Sequence, residues 1–142
     1  GQVARDRKRM PLIDRRAVNE ERMEHLARHG QPLPDSLRQE WEHALALPID
    51  IPSTWLHGDL HALNVLAKEG RLSGMIDWGD MCHGDRATDL ASIWMIFGNR
   101  SAREDVIRRC RHVSDVTWRR ARAWAIAFAV ALTNFGIAGD PR

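Results

Sequence analysis

The chain has 142 residues, 44% apolar and 28% charged, an ordinary mix for one soluble globular domain with a real core. Its 21 basic and 19 acidic side chains leave a net charge of +2, which gives no footing for a nucleic-acid partner. The longest unbroken apolar run, residues 123–132, is ten residues long, whereas a spanning helix needs about 20, so no membrane partner is expected. Residues 1–9 are charged with no apolar stretch behind them, unlike a signal peptide. Cys82 and Cys110 form no C-x-x-C pair, which excludes a disulfide-rich scaffold and a cysteine zinc finger and fits a reducing, cytoplasmic setting.

Residues 1–10 are basic and aperiodic, a lead-in or the stump of something longer. Residues 14–29 are predicted as a helix with Val18, Met23, Leu26 and Ala27 near one face and Gly30 as its stop. After a proline-rich loop, residues 36–47 form a second predicted helix, opened by Ser36 and Gln39 at capping-box spacing and closed by Pro48. Residues 54–56 are a short strand. A hairpin follows, with residues 64–67 and 72–77 as its strands and residues 68–71 as its turn. A polar loop with Gly79 and Gly84 leads to an apolar helix over 87–97. Ser101, with Glu104 three residues on, opens another, and Ser114 or Asp115 opens the last, which runs to about residue 135. The predicted class is mostly α with a small β-hairpin.

The densest polar sequence lies between His57 and Asp89. A turn centred between Gly70 and Arg71 would pair Asn64 with Asp77, and opposed residues in such a ribbon sit about 5 Å apart. Asp59 lies on the loop entering the same end. An amide oxygen and one or two carboxylates are hard ligands, suited to Mg²⁺ completed by phosphates and water. The sequence has no C-x-x-C pair and no H-E-x-x-H segment of the kind zinc favours. Asp59, apart from the metal pair, is placed to accept a proton from an incoming hydroxyl. These parts add up to in-line phosphoryl transfer, in which positioning and charge neutralisation do most of the catalysis.

His57-Gly58-Asp59 with Asn64 five residues after the acid, followed by Ile76-Asp77-Trp78, resembles the catalytic and metal loops of the aminoglycoside phosphotransferase and choline kinase-like family. Gly84-Asp85-Arg86-Ala87-Thr88-Asp89-Leu90-Ala91 resembles that family's G-D-P-x-x-D-L-A segment, with Arg86 in the proline's place. The resemblance implies the C-terminal helical lobe of a protein-kinase-like α+β phosphotransferase over residues 11–142, with the catalytic loop at 57–64 and the metal loop at 77–80. It makes Asp59 the catalytic base, Asn64 and Asp77 the magnesium ligands, ATP or GTP the donor, and a small-molecule hydroxyl the acceptor: an aminoglycoside, a macrolide, a choline-like amine or a sugar. Asp89 would hydrogen-bond the catalytic-loop backbone and His57 would pack beneath it. His61, Asp80 and Asp85 are supporting or substrate-side candidates, Asp85 also as a helix cap. The arginines at 108, 109, 111, 119, 120 and 122 are most simply solvated helix faces.

The family's smaller β-lobe, with its phosphate-covering loop and lysine, has no counterpart here. Only Lys8 and Lys68 are present, and neither is suitably placed. The chain is therefore expected to be the helical lobe of a longer enzyme, inactive alone. Apolar surface near Trp55, Leu66 and Met75 would then be open to self-association as a homodimer. Two other readings compete: a non-catalytic interaction module with the same fold, and a metal-dependent hydrolase using His57, Asp59, His61 and Asp77.

Overall fold

The computed structural model describes residues 11–139; the lead-in over 1–10 and the last three residues lie outside them. A 3-10 turn, Leu12–Arg15, leads into α1, Arg16–Arg28, which buries Asn19, Met23 and Leu26. Gly30 ends it at φ 75°, a left-handed geometry that glycine adopts without strain. The N–H groups of Gly30 and Gln31 then close back on the carbonyls of Ala27 and Leu26 at 3.1 and 2.9 Å. Helix α2, Asp35–Leu45, starts a residue earlier than predicted. Pro34 stands at its N-cap without a side-chain bond, so Ser36 lies inside the first turn and the Ser36–Gln39 box is not the start signal. Trp41, Ala44 and Leu45 are buried on its inner face.

Strand β1, Thr54–Leu56, pairs antiparallel with β4, Cys82–Gly84, a segment whose polar sequence predicts a loop. The hairpin is built from β2, Val65–Lys68, and β3, Arg71–Met75. Its turn is the two-residue Glu69-Gly70, both at positive φ (52° and 73°), the backbone that matches the twist of a tight ribbon. Leu66 pairs with Gly74 but Ala67 with Leu72, so Ser73 is an extra residue, a β-bulge. The turn centre and the bulge both differ from the predicted register. Asn64 consequently does not lie opposite Asp77.

The predicted apolar helix over 87–97 is two short ones, α3 (Ala87–Leu90) and α4 (Ile93–Ile96), separated at Ala91 and Ser92. Helix α5, Arg100–Arg109, is capped by Asn99, whose side chain accepts the N–H groups of Ser101 and Ala102 at 2.8 and 3.3 Å, not by Ser101. Helix α6, Asp115–Gly139, opens with the Ser114 hydroxyl accepting the Thr117 N–H at 3.0 Å. It packs against α1, α2 and α3, and its Trp118, Ala121, Trp124, Ala127 and Val130 meet Met23, Leu26 and Trp41 in the core. By length and composition alone α6 would suffice to cross a membrane, with a mean hydropathy of 1.4 over its most apolar window. In this fold its inward stripe is the centre of the core. The consequence for the site is that α3 and the loop before it are held against the central core helix, α6.

Candidate active site

The loop over residues 57–64 leaves β1 at the buried Leu56 and is fixed at once. Asp89, on α3, accepts the backbone N–H of His57 at 2.6 Å and that of Gly58 at 3.1 Å. Gly58 sits at φ 81°, and a Cβ there would meet the Asp80 carbonyl oxygen at 2.3 Å, so only glycine lets the two loops touch. The buried His57 ring spans the gap to β3. Its Nε2 lies 2.9 Å from the Ile76 carbonyl and its Nδ1 accepts the Asp59 N–H at 3.3 Å. This pattern assigns the proton to Nε2. The ring also packs on Trp78, centroid to centroid 4.5 Å.

Asp59 is thereby presented on a braced loop. The Asn64 amide nitrogen donates to the Asp59 carbonyl at 2.8 Å and lies 3.4 Å from its carboxylate. His61 caps the 3-10 turn Ala62–Asn64, its Nδ1 accepting the Leu63 N–H at 3.3 Å. Its Nε2 lies 3.3 Å from the Asn64 amide nitrogen and 3.5 Å from the Asp59 carboxylate. Asn64 is the last residue of this turn rather than a strand residue.

Asn64 and the metal loop meet through the backbone: the Ile76 N–H donates to the Asn64 carbonyl at 3.0 Å. Asp77 follows directly, at φ 61° and ψ 60°, an uncommon left-handed backbone for an acid, and heads the 3-10 turn Trp78–Asp80 with its side chain exposed. Strain at a residue next to a site is a pointer to function. The donor set of Asn64 and Asp77, oxygen only, fits a hard divalent cation that takes its remaining ligands from phosphates and water. Among the described residues no three His, Cys, Asp or Glu side chains gather as a metal site, and both nitrogens of His57 are committed to the backbone. The hydrolase ligand set of His57, Asp59, His61 and Asp77 is therefore not assembled.

Asp85 faces inward. Its carboxylate accepts two bonds from Arg120, at 2.9 and 3.1 Å, and caps α3 through the Ala87 N–H at 3.1 Å, so it is engaged with the fold. Arg120, 1% exposed, also donates to the Pro48 carbonyl at 2.7 Å, to Asp50 at 2.9 Å and to the Thr117 hydroxyl at 3.3 Å. All five guanidinium N–H donors are used. Burial pulls the Arg120 pKa down, but the bonds to Asp85 and Asp50 outweigh it and the net shift is upward. Hydrogen bonds from Ser114 and then Thr117, aided by Arg120, hold Asp50 well below the usual carboxylate range. The expectation of a solvated face is thus wrong for Arg120. It lies three residues after Thr117 and four before Trp124, on the buried stripe of α6, and that spacing was the available signal. Arg122 is exposed but pairs with Glu40 of α2.

Beside Asp59 opens a cleft of about 580 Å³, walled by the loop over 58–63, by α3 and α4, and by the later turns of α6. On the ribbon side, Trp55, Leu66 and Met75 are exposed.

A family model described as the phosphotransferase enzyme family matches residues 1–124. No curated protein and no solved structure matches the chain.

Proposed function

The chain belongs to the phosphotransferase enzyme family, and on that footing we propose that it carries the catalytic loop of a kinase that phosphorylates a hydroxyl of a small molecule. The observation that supports this most is the 2.8 Å bond from the Asn64 amide to the Asp59 backbone, together with the tie between Asn64 and Ile76. It ties the loop that carries Asp59 and Asn64 to the backbone one residue before Asp77.

In this reading Asp59 accepts the acceptor's hydroxyl proton as the oxygen bonds to the terminal phosphorus of ATP or GTP. The bond to the nucleoside diphosphate breaks in line. Asn64 and Asp77 would hold Mg²⁺, which when bound supplies positive charge to the phosphates. His61 Nε2 lies 3.5 Å from the Asp59 carboxylate and so helps to orient it. Asp89 and His57 keep the loop from yielding as the proton moves.

The test is nucleoside diphosphate release by the intact full-length protein with ATP or GTP, Mg²⁺ and a panel of alcohols, sugars and amines. Asp59→Ala and Asp77→Ala should each lose about a hundredfold or more in turnover. Retained turnover in Asp77→Ala removes its metal role. The exposed face around Trp55, Leu66 and Met75 is proposed to be covered by a second copy of the chain. A monomeric mass by light scattering at high concentration counts against that.

A further inference from the structure

We infer that the cleft beside Asp59 takes an acceptor whose hydroxyl is carried on a largely apolar, uncharged body, and not a polycation or a many-hydroxyl sugar. The inference rests on the transferase reading above and deepens it.

The walls carry it. Leu60 and Leu63 come from the catalytic loop, Met95 from α4, and Phe128, Ala131 and Leu132 from α6. Among the described residues of this lining there is no lysine, arginine or glutamate. Of the two acids present, Asp59 is the base and Asp89 is held by the protein. Asp89 spends both carboxylate oxygens on the His57 and Gly58 N–H groups. His61 points one nitrogen at the Leu63 N–H and the other toward Asp59 and Asn64. Thr88 is buried.

A ligand with several ammonium groups would leave water for a lining whose described carboxylates are Asp59 and the already bonded Asp89, fewer than its charges, and each buried sugar hydroxyl would need its own partner. Either loss costs free energy for every unpaired group. An apolar body meets no such cost. The cleft's volume is that of a drug-sized ligand site. Leu63 and Leu132, 84% and 62% exposed, stand where such a body would cover them. A hydroxyl at the polar end of the cleft would reach Asp59. There its oxygen bonds to phosphorus, its proton passes to the carboxylate, and the nucleoside diphosphate departs.

The experiment reads binding by the chain without turnover. N-phenyl-1-naphthylamine, a neutral apolar fluorophore, is titrated in and displaced by cyclododecanol, by glucose and by kanamycin. The alcohol should compete at least about tenfold more tightly than the other two. Leu63→Glu and Leu132→Glu, both at exposed positions that the fold does not need, should each weaken the alcohol by about tenfold. Leu72→Glu, on the exposed ribbon, should leave it unchanged. Equal or tighter competition by kanamycin or glucose overturns the inference. So does a loss at Leu72 with none at Leu63 and Leu132. Diphosphate release is scored separately, on the intact full-length protein. Alcohol binding as expected with no release keeps the cleft's chemistry and removes the transferase reading. Transfer to kanamycin ahead of the alcohol keeps the transferase reading and overturns the acceptor class.

Discussion

The carboxylate of Asp89 accepts the backbone N–H groups of both His57 and Gly58, tying helix α3 to the loop that presents Asp59. Two charge-assisted bonds to one side chain are worth more than their neutral equivalents, and losing them strands two N–H donors in a part-buried place. Asp89→Ala should destabilise the fold by about 2–4 kcal/mol in urea unfolding. Asp89→Asn, which keeps one oxygen, should lose about half as much. If Asp89 acts by positioning, both variants lower kcat and leave the acceptor KM within about twofold. A large rise in KM with kcat intact would make it a substrate contact instead.

Gly58→Ala tests the crossing of the two loops. The added methyl would sit 2.3 Å from the Asp80 carbonyl oxygen, and the backbone is at φ 81°. Both penalties act on one residue, each of the order of 1–3 kcal/mol. The variant should melt well below the parent, with loss of turnover at temperatures where it is still folded. Gly70→Ala, also at positive φ but with open space around it, should pay only the backbone strain and keep its activity.

The first and last helices were legible because their signals are local: the Met23 and Leu26 spacing, the Gly30 stop, the Ser114 cap. The Asp59 and Asn64 loop was legible for the same reason, since its residues lie within one short segment. The ribbon register was not. Glutamate is not a residue that announces a left-handed turn position, so Glu69 hid the two-residue turn, and nothing in Leu72-Ser73-Gly74 marks Ser73 as a bulge. The β1–β4 pair and the Arg120 cluster depend on partners distant in the chain. Asp85 and Asp50 lie 35 and 70 residues from Arg120, and no local pattern encodes that they share a buried guanidinium.

Asp50 gives the fold an acid limit. Its carboxyl is held below the ordinary range by the Ser114 and Thr117 hydroxyl donors and by Arg120. A carboxylate depressed in the folded state adds stability at pH values above the unfolded value, about 4, and loses it as pH falls from there toward the folded value. Denaturant midpoints should therefore drop as pH is lowered from about 5 to 2. Asp50→Asn should be less stable than the parent at neutral pH, and the gap between the two should close in acid. A gap that stays constant with pH would show that the carboxylate's charge is not what matters there.

Arg120 and Asp85 form the buried pair on which α3, and through it Asp89, is seated. The Asp85 side chain is 7% exposed, so removing the guanidinium leaves a carboxylate with neither water nor a counter-charge. Arg120→Met should cost about 3–5 kcal/mol. Arg120→Lys should recover little, because three donors on a point charge cannot serve Asp85 bidentately while also reaching Pro48, Asp50 and Thr117. Asp85→Asn alone removes the charge but keeps an acceptor for the Ala87 N–H. Combining it with Arg120→Met should therefore cost about 1–3 kcal/mol less than the two separate losses added together. Additive losses in urea unfolding would mean that Arg120 stabilises the fold through Asp50 and the Pro48 carbonyl alone, and that the seat of α3 does not depend on this pair.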